Sequence, residues 1–220
     1  MTEEALQHLS KIDKILGRLI RQVGPCRLKP KRRSPFEALV RAVVYQQLNG
    51  TAAATILGRV KGLYPGRRFP RPEDLLNTSD EKLRAAGLSR AKTAAIKDIA
   101  AKTQIGLVPS SSAIARMSEQ QIVDCLMEVR GVGPWTVEML LIFTLGRPDI
   151  LPVTDYGVRK GFALTYGWKE LPHPKELLEF GERWRPHRTT AAWYFWRALE
   201  LPKQIRKPKA KAEKGPKLQN

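Results

Sequence analysis

Cysteine is scarce in this sequence: the 220 residues include only Cys26 and Cys125. Two cysteines are too few for a disulfide framework, a cysteine-ligated zinc site or a four-cysteine iron–sulfur cluster. We therefore expect no iron–sulfur cluster, and we expect both thiols to be inert in a reducing compartment.

Long apolar runs are also missing. The longest, such as residues 139–143, are too short to span a bilayer. The first ten residues carry acids where a signal peptide would carry bases. The sequence therefore predicts an intracellular protein, located in the cytoplasm and nucleoid of a prokaryote or in the nucleus of a eukaryote.

Acidic residues are outnumbered, with 21 Asp and Glu against 39 Lys and Arg, so the net charge is +18. Such a charge attracts polyanions, which makes nucleic acid the leading class of partner. Residues 203–220 contain seven of the basic residues and almost nothing apolar, which predicts a disordered basic tail. Residues 1–202 keep a basic excess, so the tail is not its only source.

Helical patterns fill most of the chain. Apolar residues recur at steps of three and four from Leu6 to Val23, which predicts one amphipathic helix. The run Ser34-Pro35-Phe36-Glu37 is typical of a helix start. No window alternates with a period of two, and the strand candidate at 150–153 contains Pro152. The sequence therefore predicts an all-α domain over residues 1–202, built as two helical subdomains with a cleft between them.

A turn with two glycines is the most distinctive motif. Residues 126–136 combine a helix end, the turn Arg130-Gly131-Val132-Gly133 and a new helix opened by Pro134. The glycines permit positive φ and close approach, and the N–H groups that begin the new helix form an anion site. This geometry can hold one DNA phosphate without selecting a base sequence. In isolation the motif fits an ordinary helical turn equally well.

An acid at the start of another helix follows twenty residues later. Residues 151–155 are Leu-Pro-Val-Thr-Asp, and Asp155 is placed at the predicted helix start. Aspartate is a favoured N-cap, and a lone aspartate in this position is most often only a cap. The helix N-terminus also favours the ionised carboxylate, which suits a catalytic acid that must stay charged.

Together the hairpin and the Pro-Val-Thr-Asp segment resemble the signature of the helix-hairpin-helix DNA glycosylases, from about Ser34 to about Leu199. Residues 36–47 and 182–186 are most similar to the alkylpurine branch, of the DNA-3-methyladenine glycosylase II type. The resemblance implies the fold of that superfamily with a DNA-binding cleft, and Asp155 as the catalytic carboxylate. It also implies a monomeric hydrolase that removes alkylated purines from double-stranded DNA.

The resemblance further implies roles for individual residues. Leu48 matches an apolar wedge that enters the gap left by a flipped nucleotide, although it could instead be a buried leucine. Trp135 stands where lyase-type relatives carry a catalytic lysine, so no Schiff base and no strand cleavage are expected. The expected base pocket consists of Trp135, Trp196 and Met139. The expected DNA contacts are Gln47, Leu48, Arg130, Gly131, Val132, Gly133 and Thr136.

Two further implications of the resemblance concern a cation and the lesion. The hairpin is expected to bind a monovalent cation, Na⁺ or K⁺, through the backbone carbonyls of Met127, Val129 and Gly131. Met139 replaces a pocket tyrosine of some members, which leaves the preferred lesion open. A glycosylase for deaminated or oxidised bases, or a DNA-binding module without chemistry, remain the alternatives.

Overall fold

The computed structural model describes residues 2–202, and the predicted basic tail at 203–220 lies outside them. All regular secondary structure in the described part is helical, which confirms the all-α prediction. The helices are α1 (Glu3–Ile12), α2 (Lys14–Val23), α3 (Pro35–Tyr45), α4 (Gly50–Gly62), α5 (Pro72–Asn77), α6 (Asp80–Ala85), α7 (Arg90–Gln104), α8 (Ser111–Ile114), α9 (Glu119–Met127), α10 (Pro134–Leu140), α11 (Tyr156–Tyr166), α12 (Pro174–Gly181) and α13 (Arg188–Ala198). A π-helical turn (Leu141–Leu145) continues α10, and a 3₁₀ turn (Glu182–Trp184) continues α12.

The chain divides into two compact units. Of the described residues, 2–29 and 147–202 form unit one, and unit two is Pro30–Gly146. The sequence predicts two helical subdomains, and each unit is helical; the cleft between them stays a prediction. None of the described helices combines the length and the apolar character that a membrane crossing requires.

The N-terminal segment is two helices, so the prediction of a single helix from Leu6 to Val23 is wrong. Asp13 has an extended backbone between α1 and α2, and its Oδ1 accepts the N–H groups that begin α2 at Ile15 (3.1 Å) and Leu16 (2.9 Å). Its Oδ2 accepts from the Tyr166 hydroxyl at 2.6 Å and from the Trp184 indole at 3.0 Å. The buried Asp13 carboxylate needs these four donors, and it therefore interrupts the helix at a position where the apolar periodicity predicts no interruption.

The core of unit one is aromatic and brings α11 against α13. The ring of Phe162 contacts Tyr166, Phe180 and Phe195 at centroid distances of 4.5, 4.9 and 5.7 Å. At Gly161 any added Cβ would collide with the carbonyl of Phe195, so the two backbones touch at this point. This close approach fixes the distance between the start of α11 and the end of α13.

The core of unit two is aliphatic and centres on α3. Val40, Val43 and Val44 are fully buried in it. Around α3 pack α4, α7 and α10. Helix α3 therefore carries the turn that follows Tyr45 on a rigid support.

Candidate functional site

Asp155 is the N-cap of α11, as the sequence predicts. Its Oδ1 accepts the backbone N–H of Val158 at 2.8 Å and the indole Nε1–H of Trp196 at 2.8 Å. The residue is half-buried. Two donors on one oxygen fix the direction of the carboxylate, which is the property that a positioned catalytic acid requires.

Trp196 lies on α13, half-buried. The sequence suggests this tryptophan only as a pocket aromatic, and its bond to Asp155 is additional. Trp193, one turn earlier on the helix, is 8% exposed and packs edge-on against Tyr194 at 4.9 Å. Of the aromatic residues on α13, Trp196 is therefore the one attached to the candidate catalytic acid.

Gly157 leaves room for the hydrogen bond between Trp196 and Asp155, a role that is not predicted from the sequence. An added Cβ would lie 2.8 Å from Cδ1 and 3.1 Å from Nε1 of Trp196, and 3.1 Å from Oδ1 of Asp155. Any larger side chain would therefore push the indole away from the carboxylate. The signal available in the sequence was a glycine in the first turn of a helix, where it costs about 1 kcal/mol relative to alanine.

The hairpin has the predicted helix–turn–helix form. Helix α9 ends at Met127, and Gly133 is the N-cap of α10. Gly131 has φ +76°, and a Cβ there would lie 2.6 Å from the Cβ of Ala95. Glycine is thus required at this position by both its backbone angle and its neighbour.

Two charged residues of α7 brace the segment before the hairpin. Asp98 Oδ2 accepts the N–H of Arg130 at 2.7 Å and lies 3.3 Å from the ammonium of Lys102. The same ammonium donates to the carbonyl of Glu128. The backbone on the entry side of the turn is therefore held by helix α7, which no local motif indicates.

The turn after α3 has the conformation expected of a functional loop. Gln47 has φ +56°, a left-handed angle that costs a residue with a side chain about 1–2 kcal/mol. Leu48 is 39% exposed, which excludes the alternative of a buried leucine. Asn49 then caps α4 by accepting the N–H of Ala52 at 2.8 Å. We call residues 46–49 the Gln46–Asn49 loop.

Two side chains tie the Gln46–Asn49 loop to the rest of unit two. Lys92 donates to the carbonyls of Val44 at 2.8 Å and Gln46 at 2.7 Å, and burial lowers the pKa of its ammonium. Gln46 Nε2 donates to the carbonyl of Gly131 at 3.0 Å and to the hydroxyl of Thr136 at 2.9 Å. The loop and the hairpin are thereby linked directly by hydrogen bonds.

The predicted hairpin contacts differ in their accessibility. Arg130 and Gly131 are exposed and Gly133 is half-buried. Val132 and Thr136 are 5% and 1% exposed. The Val132 and Thr136 side chains are therefore covered in this structure, where the Thr136 hydroxyl accepts from the Gln46 amide, and the part of both residues in DNA contact stays a prediction.

The predicted pocket residues of unit two share one helix face. Trp135 and Met139 are four residues apart on α10, and both are half-buried. Each is therefore placed where part of its side chain can contact a ligand.

No metal-binding group of three or more His, Cys, Asp or Glu occurs within residues 2–202.

The two cysteines lie in environments that reduce their reactivity. Burial raises the pKa of the Cys26 thiol and that of the Cys125 thiol. The Cys125 thiol donates to the carbonyl of Leu107 at 2.9 Å. Since the thiolate is the nucleophilic form, both shifts favour the inert thiols that the sequence predicts.

Comparison with known proteins places most of this chain in one family. The profile described as "HhH-GPD superfamily base excision DNA repair protein" matches residues 40–186. The matched segment contains the Gln46–Asn49 loop, the hairpin and Asp155. It ends just before α13, the helix that carries Trp196.

Relatives with curated names cover nearly the whole chain. DNA-3-methyladenine glycosylase 1 of Schizosaccharomyces pombe is 37% identical over 196 residues, which cover 88% of this chain and 86% of that protein. The alkylbase DNA glycosidase-like protein mag2 of the same yeast is 34% identical over 207 residues, 93% of this chain and 96% of that protein.

A solved structure agrees with this similarity. The Schizosaccharomyces pombe 3-methyladenine DNA glycosylase in complex with abasic DNA superposes with a TM-score of 0.86 at 37% identity. The match covers 90% of this chain and 97% of that one. The chain therefore shares the fold of that glycosylase.

Proposed function

The chain belongs to the HhH-GPD superfamily of base excision DNA repair proteins, and from that premise we propose that it is a DNA glycosylase for alkylated purines. It flips a base of the 3-methyladenine or 7-methylguanine type out of double-stranded DNA and hydrolyses its N-glycosidic bond. The observation that carries the proposal is Asp155, held by Val158 and Trp196 in a chain similar to a 3-methyladenine glycosylase over most of its length.

The chemistry needs one positioned carboxylate. Alkylation places positive charge on the purine, which makes the base a good leaving group without a general acid. The remaining task is to stabilise an oxocarbenium-like sugar and the water that attacks it, which is half of the two-carboxylate arrangement of glycosidases. Asp155 supplies that charge, and the Trp196 indole directs it.

The reaction proposed is hydrolytic throughout. Trp135 lies in the first turn of α10, where lyase-type relatives carry lysine, and an indole cannot form a Schiff base. The product is therefore an abasic site in an intact strand. Strand cleavage and trapping of a protein–DNA adduct by borohydride are the results that would contradict this part of the proposal.

The DNA contacts proposed lie in the hairpin and the Gln46–Asn49 loop. Backbone groups near Gly131 and Gly133, with the Arg130 side chain, hold a phosphate, and Leu48 with Gln47 fills the gap left by the extruded nucleotide. An exposed leucine next to a strained residue suits insertion, because extrusion costs a few kcal/mol that new contacts must offset. Trp135, Met139 and Trp196 are the proposed contacts to the extruded base, whose positive charge favours aromatic faces.

The hairpin carbonyls are compatible with a monovalent cation such as Na⁺ or K⁺. The carbonyl of Val129 accepts the Val132 N–H at 3.0 Å, and that of Gly131 accepts from Gln46 at 3.0 Å. Each carbonyl oxygen has a second lone pair. These two oxygens and that of Met127 would hold the cation, which would add positive charge beside the bound phosphate.

The protein is further proposed to act as a monomer inside the cell, in the compartment that contains the chromosome.

The test of the proposed function is incubation of the full chain with methylated duplex DNA, followed by chromatography of released bases. Release of 3-methyladenine or 7-methylguanine supports it. Release of only uracil, hypoxanthine or 8-oxoguanine from matched duplexes would show that the enzyme acts on another lesion. Binding without any base release would show a DNA-binding module.

A further inference from the structure

A basic groove in unit two lies outside the elements assigned to DNA contact; we call it the arginine groove. Its volume is about 440 Å³. It is lined by Lys31, Arg32, Arg33, Glu37, Arg41 and Arg68. Five cations therefore surround a single carboxylate, which cannot neutralise them.

Glu37 organises three of these cations. Its side chain is only 8% exposed, and its Oε1 lies 2.9 Å from Nε of Arg41 and 3.6 Å from Nε of Arg33. Its Oε2 lies 3.3 Å from Nη2 of Arg68. Within residues 2–202 the Nη groups of Arg33 and Arg41 make no hydrogen bond, so their forked donors remain available for a ligand.

The arginines are held close together despite their repulsion. Burial lowers the pKa of Arg33, and the charge of Arg41 lowers it further. The guanidinium of Arg41 also lies 5.1 Å from the ring centre of Phe69, which fixes its plane. A cluster of this kind resembles the arginine sites that bind phosphate, where planar forks match the oxygens of the anion.

The groove lies at the N-terminal part of α3, whereas the Gln46–Asn49 loop follows the C-terminal end of that helix. Glu37 and Arg41 lie in the first two turns of α3, whereas the loop follows its last residue, Tyr45. At a rise of about 1.5 Å per residue, Glu37 and Arg41 lie about 14 Å and about 8 Å before Gln46 along the helix axis. We propose that the arginine groove is a binding site for a phosphate group, distinct from the hairpin and loop contacts to the lesion strand.

The test uses inorganic phosphate and the full chain labelled with ¹⁵N. Phosphate is titrated against sodium chloride at matched ionic strength, and the Nε–Hε signals of Arg33 and Arg41 are followed by NMR. The proposal predicts saturable shifts. The double variant Lys31→Gln/Arg32→Gln should bind phosphate about tenfold or more weakly, since two charge-assisted contacts are lost. Both residues are exposed, so the fold is not at risk.

A matched control removes the same charge elsewhere in unit two. Lys82→Gln/Arg84→Gln changes two exposed residues of α6 and should keep the parental phosphate affinity. Shifts that follow ionic strength alone, or that are unchanged in the Lys31→Gln/Arg32→Gln variant, would overturn the proposal. Single-turnover base release with enzyme at saturating concentration should be equal in both variants, because this rate reports the chemical step and not the affinity for DNA phosphates.

Binding to undamaged duplex then identifies the source of the phosphate. If the ligand is a DNA phosphodiester, the groove variant should reduce the slope of log affinity against log salt by up to about 1.8 more than the control, because two phosphate contacts are lost. Equal slopes, together with loss of inorganic phosphate binding, would assign the groove to a phosphate monoester. Both results support a phosphate site.

Discussion

At the residue scale, the contact between Trp196 and Asp155 sets the direction of the proposed catalytic carboxylate. Trp196→Phe keeps an aromatic ring and removes the donor to Oδ1. A hydrogen bond to a charged group contributes about 1.5–3 kcal/mol, so single-turnover base release should fall roughly ten- to hundredfold. Melting temperature and duplex affinity should change little.

Gly157→Ala tests the same contact without touching the tryptophan. Its Cβ would displace the indole, so base release should fall in parallel with Trp196→Phe. Trp193→Phe is the matched control, because that ring packs in the core against Tyr194. It should lower the melting temperature and leave the rate nearly unchanged. A parental rate in both Trp196→Phe and Gly157→Ala would remove the positioning role.

The sequence identifies Asp155 but not its partner, for a physical reason. A capping aspartate in a known motif is local information, because the cap bond spans three residues. The bond to Trp196 spans 41 residues and exists only because α11 and α13 meet at Gly161. The apolar periodicity of each helix does not show which helices pack together when they are far apart in the sequence. A glycine inside a helix can nevertheless indicate where two helices come close.

At the element scale, Lys92 determines how the Gln46–Asn49 loop is presented. Lys92→Met removes the donor to the carbonyls of Val44 and Gln46 while keeping much of the stem. The loop should become mobile and the left-handed Gln47 should relax, since its strain depends on this support. We expect weaker binding to a duplex with an abasic site, by about tenfold, measured by fluorescence anisotropy.

Hydrogen exchange separates this effect from general unfolding. Faster exchange confined to residues 46–49 and the hairpin is the expected pattern, because Gln46 links the two. Lys97 lies on α7 with Lys92 and forms an ion pair with Asp80 of α6, so Lys97→Met serves as the control and should not alter DNA affinity. Unchanged affinity in Lys92→Met would show that the loop holds its shape without this lysine.

Elements whose ends carry their own capping residues could be predicted from sequence. The helix start at Ser34 is found as expected, with the Ser34 hydroxyl accepting the backbone N–H of Glu37 at 3.1 Å. The break at Asp13 could not be predicted, because its cause is two donors from Tyr166 and Trp184, more than 150 residues away. Tertiary hydrogen bonds overrode local periodicity there.

At the scale of the whole molecule, the burial of Tyr194 predicts that alkali lowers the stability of the fold. Burial raises the pKa of Tyr194, whose hydroxyl donates to the carbonyl of Gly24 at 2.8 Å. With the folded pKa above the unfolded value of about 10, the unfolded state loses its proton first, so stability is intact below about pH 10 and decreases above it. Tyr194→Phe should flatten this decrease in urea unfolding curves between about pH 9 and pH 11. An equal slope in both proteins would contradict it.

For the whole molecule, the proposed glycosylase chemistry depends on the negative charge of Asp155. Asp155→Asn keeps the side-chain oxygen that caps α11 and accepts from Trp196, and removes only the charge. The most direct measurement is single-turnover release of an alkylated purine, made beside thermal melts of both proteins. We expect equal melting temperatures and a loss of about 2.7–4 kcal/mol of transition-state stabilisation, roughly a hundred- to thousandfold in rate. A variant that melts like the parent and releases base within about threefold of the parental rate, under 1 kcal/mol of lost stabilisation, would contradict it.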